Sequence, residues 1–214
     1  MRHAHRHLDR CLRLAVAAAV AIGLHRRDAS VVANGVAALA IAHVPGGLEH
    51  RYALDLRPWQ RLWISATTFT HAVGMLGTYD RVWWWDHVAH VLSASSVGGV
   101  AYVVARTNPE CDRRFAPTGH VPGFVLGSTL GLGLLWELLE YVVHALGDRL
   151  GIAPLLISYG RLDTALDLVF DAIGGGLVVL LGPYALENVV RSVDAGRSGG
   201  ASASDERGGS RPRS

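Results

Sequence analysis

The chain has 214 residues, half of them hydrophobic and only 18% charged, with a mean hydropathy of +0.25 and a formal net charge of +2. Soluble domains carry about one quarter charged residues, so this balance points to a membrane protein. So small a charge, with no basic patch interleaved with aromatics, excludes a nucleic-acid partner. Two isolated cysteines, Cys11 and Cys111, supply neither a disulfide framework nor a metal-binding spacing.

Apolar runs separated by arginine-bearing turns predict an all-α bundle of six membrane spans: Cys11–Leu24, Ala29–Val44, Trp59–Leu76, Trp83–Ala105, Pro122–Leu146 and Thr164–Val190. A span of ~20 residues covers a ~30 Å hydrocarbon core. The last three fit that length, and the first is the shortest. Its basic start also suits a secretion signal, but no small-x-small cleavage pattern precedes "HRRDAS", so a retained helix is expected. Fifteen of the twenty arginines fall on the side of the N-terminus, and five (Arg26, Arg27, Arg81, Arg149 and Arg161) on the other. The positive-inside rule then puts both termini in the cytoplasm, in a multi-pass protein of the plasma membrane. Tyr79 and Trp83 to Trp85 sit at the outer interface, where amphipathic rings anchor helix ends. From Arg191 onward the chain is rich in Gly, Ser and Arg. One helical domain over 1–190 and a disordered cytoplasmic tail over 191–214 are expected.

Three of these spans carry acids and histidines in helical register. Asp86 and His90 are four apart and share a face. In "WELLEYVVH", Glu137, Glu140 and His144 follow at spacings of three and four. In "LDTALDLVFDAIGGG", Asp163, Asp167 and Asp171 recur every fourth residue and drift only about 80° around a helix. With alternating span directions, all three groups fall in the outer third of the membrane, and His71 lies at a similar level. An ionised acid at a helix centre costs about 2.5–3.5 kcal/mol on insertion scales, so these residues must face inward. Protonation, pairing with His or with Arg81, Arg149 and Arg161, or a bound cation would relieve their repulsion. Small residues allow the approach: "SASSVGG" in span four, Gly127-x-x-x-Gly131 in span five, Gly174 to Gly176 in span six. His87 points about 100° away from Asp86 and falls outside the cluster. Thr164 and Asp163 are placed to cap the last helix, and Trp136 to pack. His3, His5 and His7 read as a solvated basic tail, and His43, His50 and His120 as interface residues.

The segments "YDRVWWWDHVAH", "LLWELLEYVVH" and "DTALDLVFDAIGGGLV", on successive helices, resemble the YjdF-like family of uncharacterised polytopic membrane proteins. The matching positions are Asp86, His90, Trp136, Glu137, Glu140, Asp163, Thr164, Asp167 and Gly174. The resemblance runs from about Tyr79 to Leu181, and "LLISYGRL" departs from the Gly-rich acidic turn of the family. It implies a helical bundle and no particular activity.

Three readings of the cluster stay open. Carboxylates with imidazoles suit a divalent metal (Mg²⁺, Mn²⁺, Ca²⁺ or Zn²⁺) that would act on lipid headgroups. The same residue types also build proton or cation pathways in transporters. A structural polar network in a non-catalytic scaffold is the third, with cross-helix hydrogen bonds worth about 0.6 kcal/mol each. The lipid bilayer is the one expected partner.

Overall fold

The computed structural model describes residues 2–108 and 121–208. Cys111, Arg113, Arg114, His120 and the end of the tail (209–214) lie outside the described residues. Every described element is helical: α1 (Arg2–Arg26), α2 (Ala29–Tyr52), α3 (Pro58–Val73), α4 (Trp85–Thr107), α5 (Val121–Leu150), α6 (Arg161–Ala185) and α7 (Glu187–Gly208). Of these, α2, α4, α5 and α6 are long and apolar enough to cross a membrane. The first apolar run is the inner part of a 25-residue helix whose opening turns hold His and Arg, residues that a helix tolerates well. The third helix has 16 residues and ends in a π-helical turn, Gly74–Thr78. There Gly77 adopts φ 99°, and the Tyr79 ring fills the space a side chain at Gly74 would need.

Local chemistry sets the boundaries. Asp28 caps α2 by accepting from the Val31 amide at 3.1 Å. Pro58 opens α3, where its missing N–H costs nothing. The N-cap of α6 is Gly160, at φ 107°. Neither Asp163 nor Thr164 caps this helix, because it begins at Arg161 and puts both inside its first turn. After Ala185 the chain breaks at Leu186 and continues as α7, so the sixth apolar run is two helices. Composition argues for disorder from Arg191, yet the backbone stays helical to Gly208. Its start packs, with Val189 and Val190 buried, and Arg197 donates to the Thr107 carbonyl of α4.

Contacts between named residues fix the topology. The Ser65 hydroxyl meets Asp9, and Val16, Ala19, Ala38 and Ala72 form one buried cluster, so α1 and α3 run parallel with α2 antiparallel beside them. Gly174 lies against Val91 and Ala94, and Gly182 against Tyr102, so α4 and α6 are parallel. Thr129 of α5 packs on both Gly98 and Gly175, and Val125 joins Tyr102 and Val178 in a second core. The two trios meet across α3 and α4, where the Trp63 indole donates to Ser95 (3.0 Å) and Thr67 meets Ser96 (3.2 Å). A Cβ at Gly174 would come within 2.6 Å of the Val91 carbonyl, so this glycine sets the α4–α6 spacing. The Gly127-x-x-x-Gly131 pair does no such work: among the described residues, nothing beyond its own helix backbone lies within 4 Å of where a Cβ would sit at either position. On α5 the glycine that faces the bundle is Gly133.

The loop between α5 and α6 folds back over one end. The Leu155 carbonyl accepts from Ser30 (2.7 Å) and Asn34 (2.9 Å), and the Tyr159 hydroxyl donates to Asp80 (2.7 Å). Burial and the neighbouring Asp80 push the Tyr159 hydroxyl above its ordinary pKa, so it remains a donor.

Candidate functional site

The residues that close the α4–α5–α6 interface are the acids and histidines of the sequence stripes. Spacings of four on α4 and α6 keep Asp86, His90, Asp167 and Asp171 on facing sides, and antiparallel α5 brings Glu137 alongside. His90 is the hub. Its Nδ1 lies 3.1 Å from Asp171 Oδ1. Its Nε2 lies 3.8 Å from Glu137 Oε1, 3.8 Å from Asp167 Oδ1 and 3.9 Å from Asp86 Oδ1. When Nδ1–H donates to Asp171, Nε2 faces those three carboxylates, with a lone pair on the neutral ring or an N–H on the charged one. At 3.8 to 3.9 Å none of the three is hydrogen-bonded to it.

Burial is graded across the group. Asp167, Asp171 and Glu137 are 1%, 3% and 6% exposed, whereas the Asp86 side chain retains 24%. Asp86 therefore stands at the mouth. Thr164 donates to Glu137 Oε2 at 2.8 Å, which leaves Oε1 aimed at His90. Among the described residues, Glu137 Oε1, Asp167 Oδ1 and Asp171 Oδ2 are buried without a hydrogen-bond partner. Unsatisfied buried carboxylate oxygens are costly, so three in one place call for compensation from a cation or a proton. Ligand atoms of Asp86, His90 and Asp167 all lie within 4.8 Å of one another. Atoms sharing one ion through bonds of ~2.1 Å sit about 3–4 Å apart, the range of the His90 distances.

Other expected members fall nearby or elsewhere. Glu140 is half-buried, four residues after Trp136 on α5. Asp163 is half-buried near the mouth, within electrostatic range of His87 and His90. His144 instead accepts from the Ser158 amide (3.3 Å) and lies 3.7 Å from Asp148, so it serves the loop. His71 sits between Tyr79 (3.1 Å) and Asn34 (3.3 Å), edge-on to Trp136, as a helix-contact histidine. Among the described residues no arginine pairs with these acids. Arg81, Arg149 and Arg161 are all exposed, and the ion pairs of the cluster are with histidine.

His87 reverses the expectation drawn from helix geometry. It is buried, stacked on Phe170 (centroids 4.3 Å, interplanar 9°), with Nδ1 3.5 Å from Asp167 Oδ1. The ~100° step from Asp86 carries it off the His90 side, but α6 reaches around α4 far enough to meet both faces. A signal was present in sequence: Phe170 follows Asp167 by three, placing a ring and an acid together where a flat imidazole can sit.

Large apolar side chains dominate the outside. On α5, Leu132, Leu134, Leu135, Leu138, Tyr141 and Val142 are each at least half exposed. Water would not support an apolar surface of that extent, and lipid would. A helical bundle with leucine outside and carboxylates inside is a polytopic membrane protein. The chain belongs to the family described as "Predicted membrane protein (DUF2238)", the YjdF-like proteins, which matches residues 8–188. That match reaches well before Tyr79, so the N-terminal helices belong to the family fold as well. No curated protein and no solved structure matches the chain.

Proposed function

We propose that this protein holds a divalent cation between α4, α5 and α6, with His90 Nε2, Asp86, Glu137 and Asp167 as ligands. The observation that carries this reading is the arrangement around His90. One ring nitrogen donates to a carboxylate, and the other faces three more at ligand-to-ligand distances. A metal-bound histidine characteristically donates its second nitrogen in this way, which fixes the tautomer and raises its basicity. Asp171 is that partner here, and Thr164 fixes Glu137 similarly. One imidazole among carboxylates suits Zn²⁺ or Mn²⁺ better than Mg²⁺ or Ca²⁺, which prefer oxygen alone.

The arginine bias supports a six-helix arrangement in the plasma membrane, with both termini and the 191–214 tail cytoplasmic and the cluster below the outer surface. Trp83, 79% exposed at the same end, suits an interfacial position there. A cation in this place would polarise a phosphate or lower the pKa of a bound water, chemistry suited to a lipid headgroup. Asp86 at the mouth faces the approach to it, with Glu140 and Asp163 nearby.

Elemental analysis of protein purified in detergent tests the reading. One divalent ion per chain is expected, lost in His90→Gln and in Asp167→Asn while both variants stay folded. Metal-free wild-type protein whose melting temperature ignores added Zn²⁺ and Mn²⁺ would return the cluster to a structural network.

A further inference from the structure

The end of the bundle opposite this cluster carries a different site. α1 begins there, α2 ends there, and the loop from Ala53 leads into α3. A cavity of about 530 Å³ opens between these segments, and Arg6, Arg57 and Arg61 reach it together with His5. A second cavity of about 470 Å³ shares Arg6 and Arg61 and adds Arg10, Arg13 and His43. Two acids lie among these five arginines, Asp9 and Asp55. Asp9 is already engaged, accepting from Ser65 (2.6 Å) and pairing with Arg13. Arg61 pairs with Glu49 at 3.0 Å. Even so, the Nε–H groups of Arg61 and Arg13 are buried without an acceptor. Buried guanidinium donors beside a cavity mark where an anion's oxygens would sit, since guanidinium matches phosphate in charge and in forked geometry.

The cavity wall is held in place rather than draped. The Asn188 side chain donates to the Asp55 carbonyl, and it exchanges hydrogen bonds with Gln60, both at 3.1 Å. Gln60 in turn accepts from the Arg57 amide (2.7 Å) and donates to the Ala185 carbonyl (2.6 Å). The loop bearing Arg57 is thereby tied to the start of α7. Leu56, Pro58 and Trp59 add an apolar part to the same lining. A site that combines arginines with a tryptophan suits a group that is anionic at one end and greasy at the other.

We propose that this cavity binds a phosphate group, either the phosphodiester of an anionic lipid headgroup or free phosphate. The proposal is independent of the metal reading, because its residues lie at the other end of the molecule. The test uses the full chain treated with EDTA, so that any metal at the His90 cluster cannot hold the anion. Melting temperature is followed against sodium phosphate, with sodium chloride at equal ionic strength as control. It is then compared between nanodiscs of phosphatidylcholine alone and nanodiscs containing phosphatidylglycerol. The variant is Arg6→Gln with Arg57→Gln, two exposed side chains whose loss leaves the packed helices intact.

A saturable upward shift is expected, with an apparent affinity about tenfold weaker in the variant once two charge-assisted contacts are gone. A response to phosphatidylglycerol alone assigns the site to lipid, and a response to inorganic phosphate alone assigns it to the free anion. No shift with either, or equal shifts in wild type and variant, overturns the proposal.

Discussion

The α1–α3 and α4–α6 halves both bury acid among packed helices, and they treat it oppositely. In the first, Asp9 has a hydroxyl on one oxygen and a guanidinium on the other, so its charge is answered inside the protein. In the second, Glu137, Asp167 and Asp171 each keep a buried oxygen without a hydrogen bond, beside His90 and His87. A fold needing acid only for specificity would repeat the first arrangement, in which each carboxylate oxygen has a donor. The α4–α6 half departs from it where the chain places its densest carboxylates. On the function proposed above, the difference separates structural acid from acid reserved for a ligand.

The largest expected effect comes from forcing the two halves apart in stability. Asp9→Ala strands the Arg13 guanidinium and the Ser65 hydroxyl, and should cost on the order of 3 kcal/mol. In metal-stripped protein, Asp167→Asn removes a buried carboxylate whose Oδ1 has no hydrogen bond, and should be neutral or stabilising. Chemical denaturation of both variants checks the pair. Equal destabilisation would erase the distinction between the halves.

Next comes Gly133→Ala. A Cβ there collides with Asp171 Oδ2, so the buried Asp171 carboxylate must turn away, at about 1–3 kcal/mol, and the support for His90 goes with it. Gly127→Ala on the same helix has open space and should stay within about 0.5 kcal/mol. Thermal melts with and without added Zn²⁺ separate the two, since only the Gly133 variant should also lose the metal-dependent shift.

Two subtler changes probe the outer layer of the cluster. Thr164→Val leaves Glu137 free to turn, and His87→Phe keeps the stack on Phe170 while removing the nitrogen facing Asp167. Each should weaken metal binding about 10–100-fold, the usual effect of losing an outer-layer partner, with little change in the melting temperature of the apo protein. Calorimetric titration with Zn²⁺ reads this directly.

Most of the cluster was legible in sequence because helical periodicity is strict: residues four apart on α4 and α6 had to share faces, and antiparallel succession had to bring Glu137 level with them. What periodicity does not carry is how far a neighbouring helix wraps. His87 was missed for that reason, and His144 was included because an i+4 step from Glu140 says nothing about a loop amide competing for its ring. The glycines divide likewise. Gly174 and Gly127 read alike as small residues in apolar runs, yet one touches a carbonyl of α4 and the other touches nothing. Helix length was legible only for the apolar part, so the charged opening of α1 and the break at Leu186 came from the fold.

The smallest expected effect lies in the loop that joins the halves. Leu155 binds α2 and Tyr159 binds Asp80, so the segment from Gly151 to Gly160 ties the α1–α3 trio to the mouth of the cluster. Tyr159→Phe removes one hydrogen bond and should cost about 1 kcal/mol or less. Because burial and Asp80 raise the Tyr159 pKa, the bond is fully present below the ordinary tyrosine value of about 10. It is lost only as pH climbs through the raised value. Hydrogen exchange of the loop amides should therefore be faster in the variant at neutral pH. The difference from wild type should shrink only in strongly alkaline solution, after allowance for base-catalysed exchange. If wild-type and variant loops exchange alike at neutral pH, Leu155 alone holds the loop, and the two halves are coupled through the α3–α4 contacts instead.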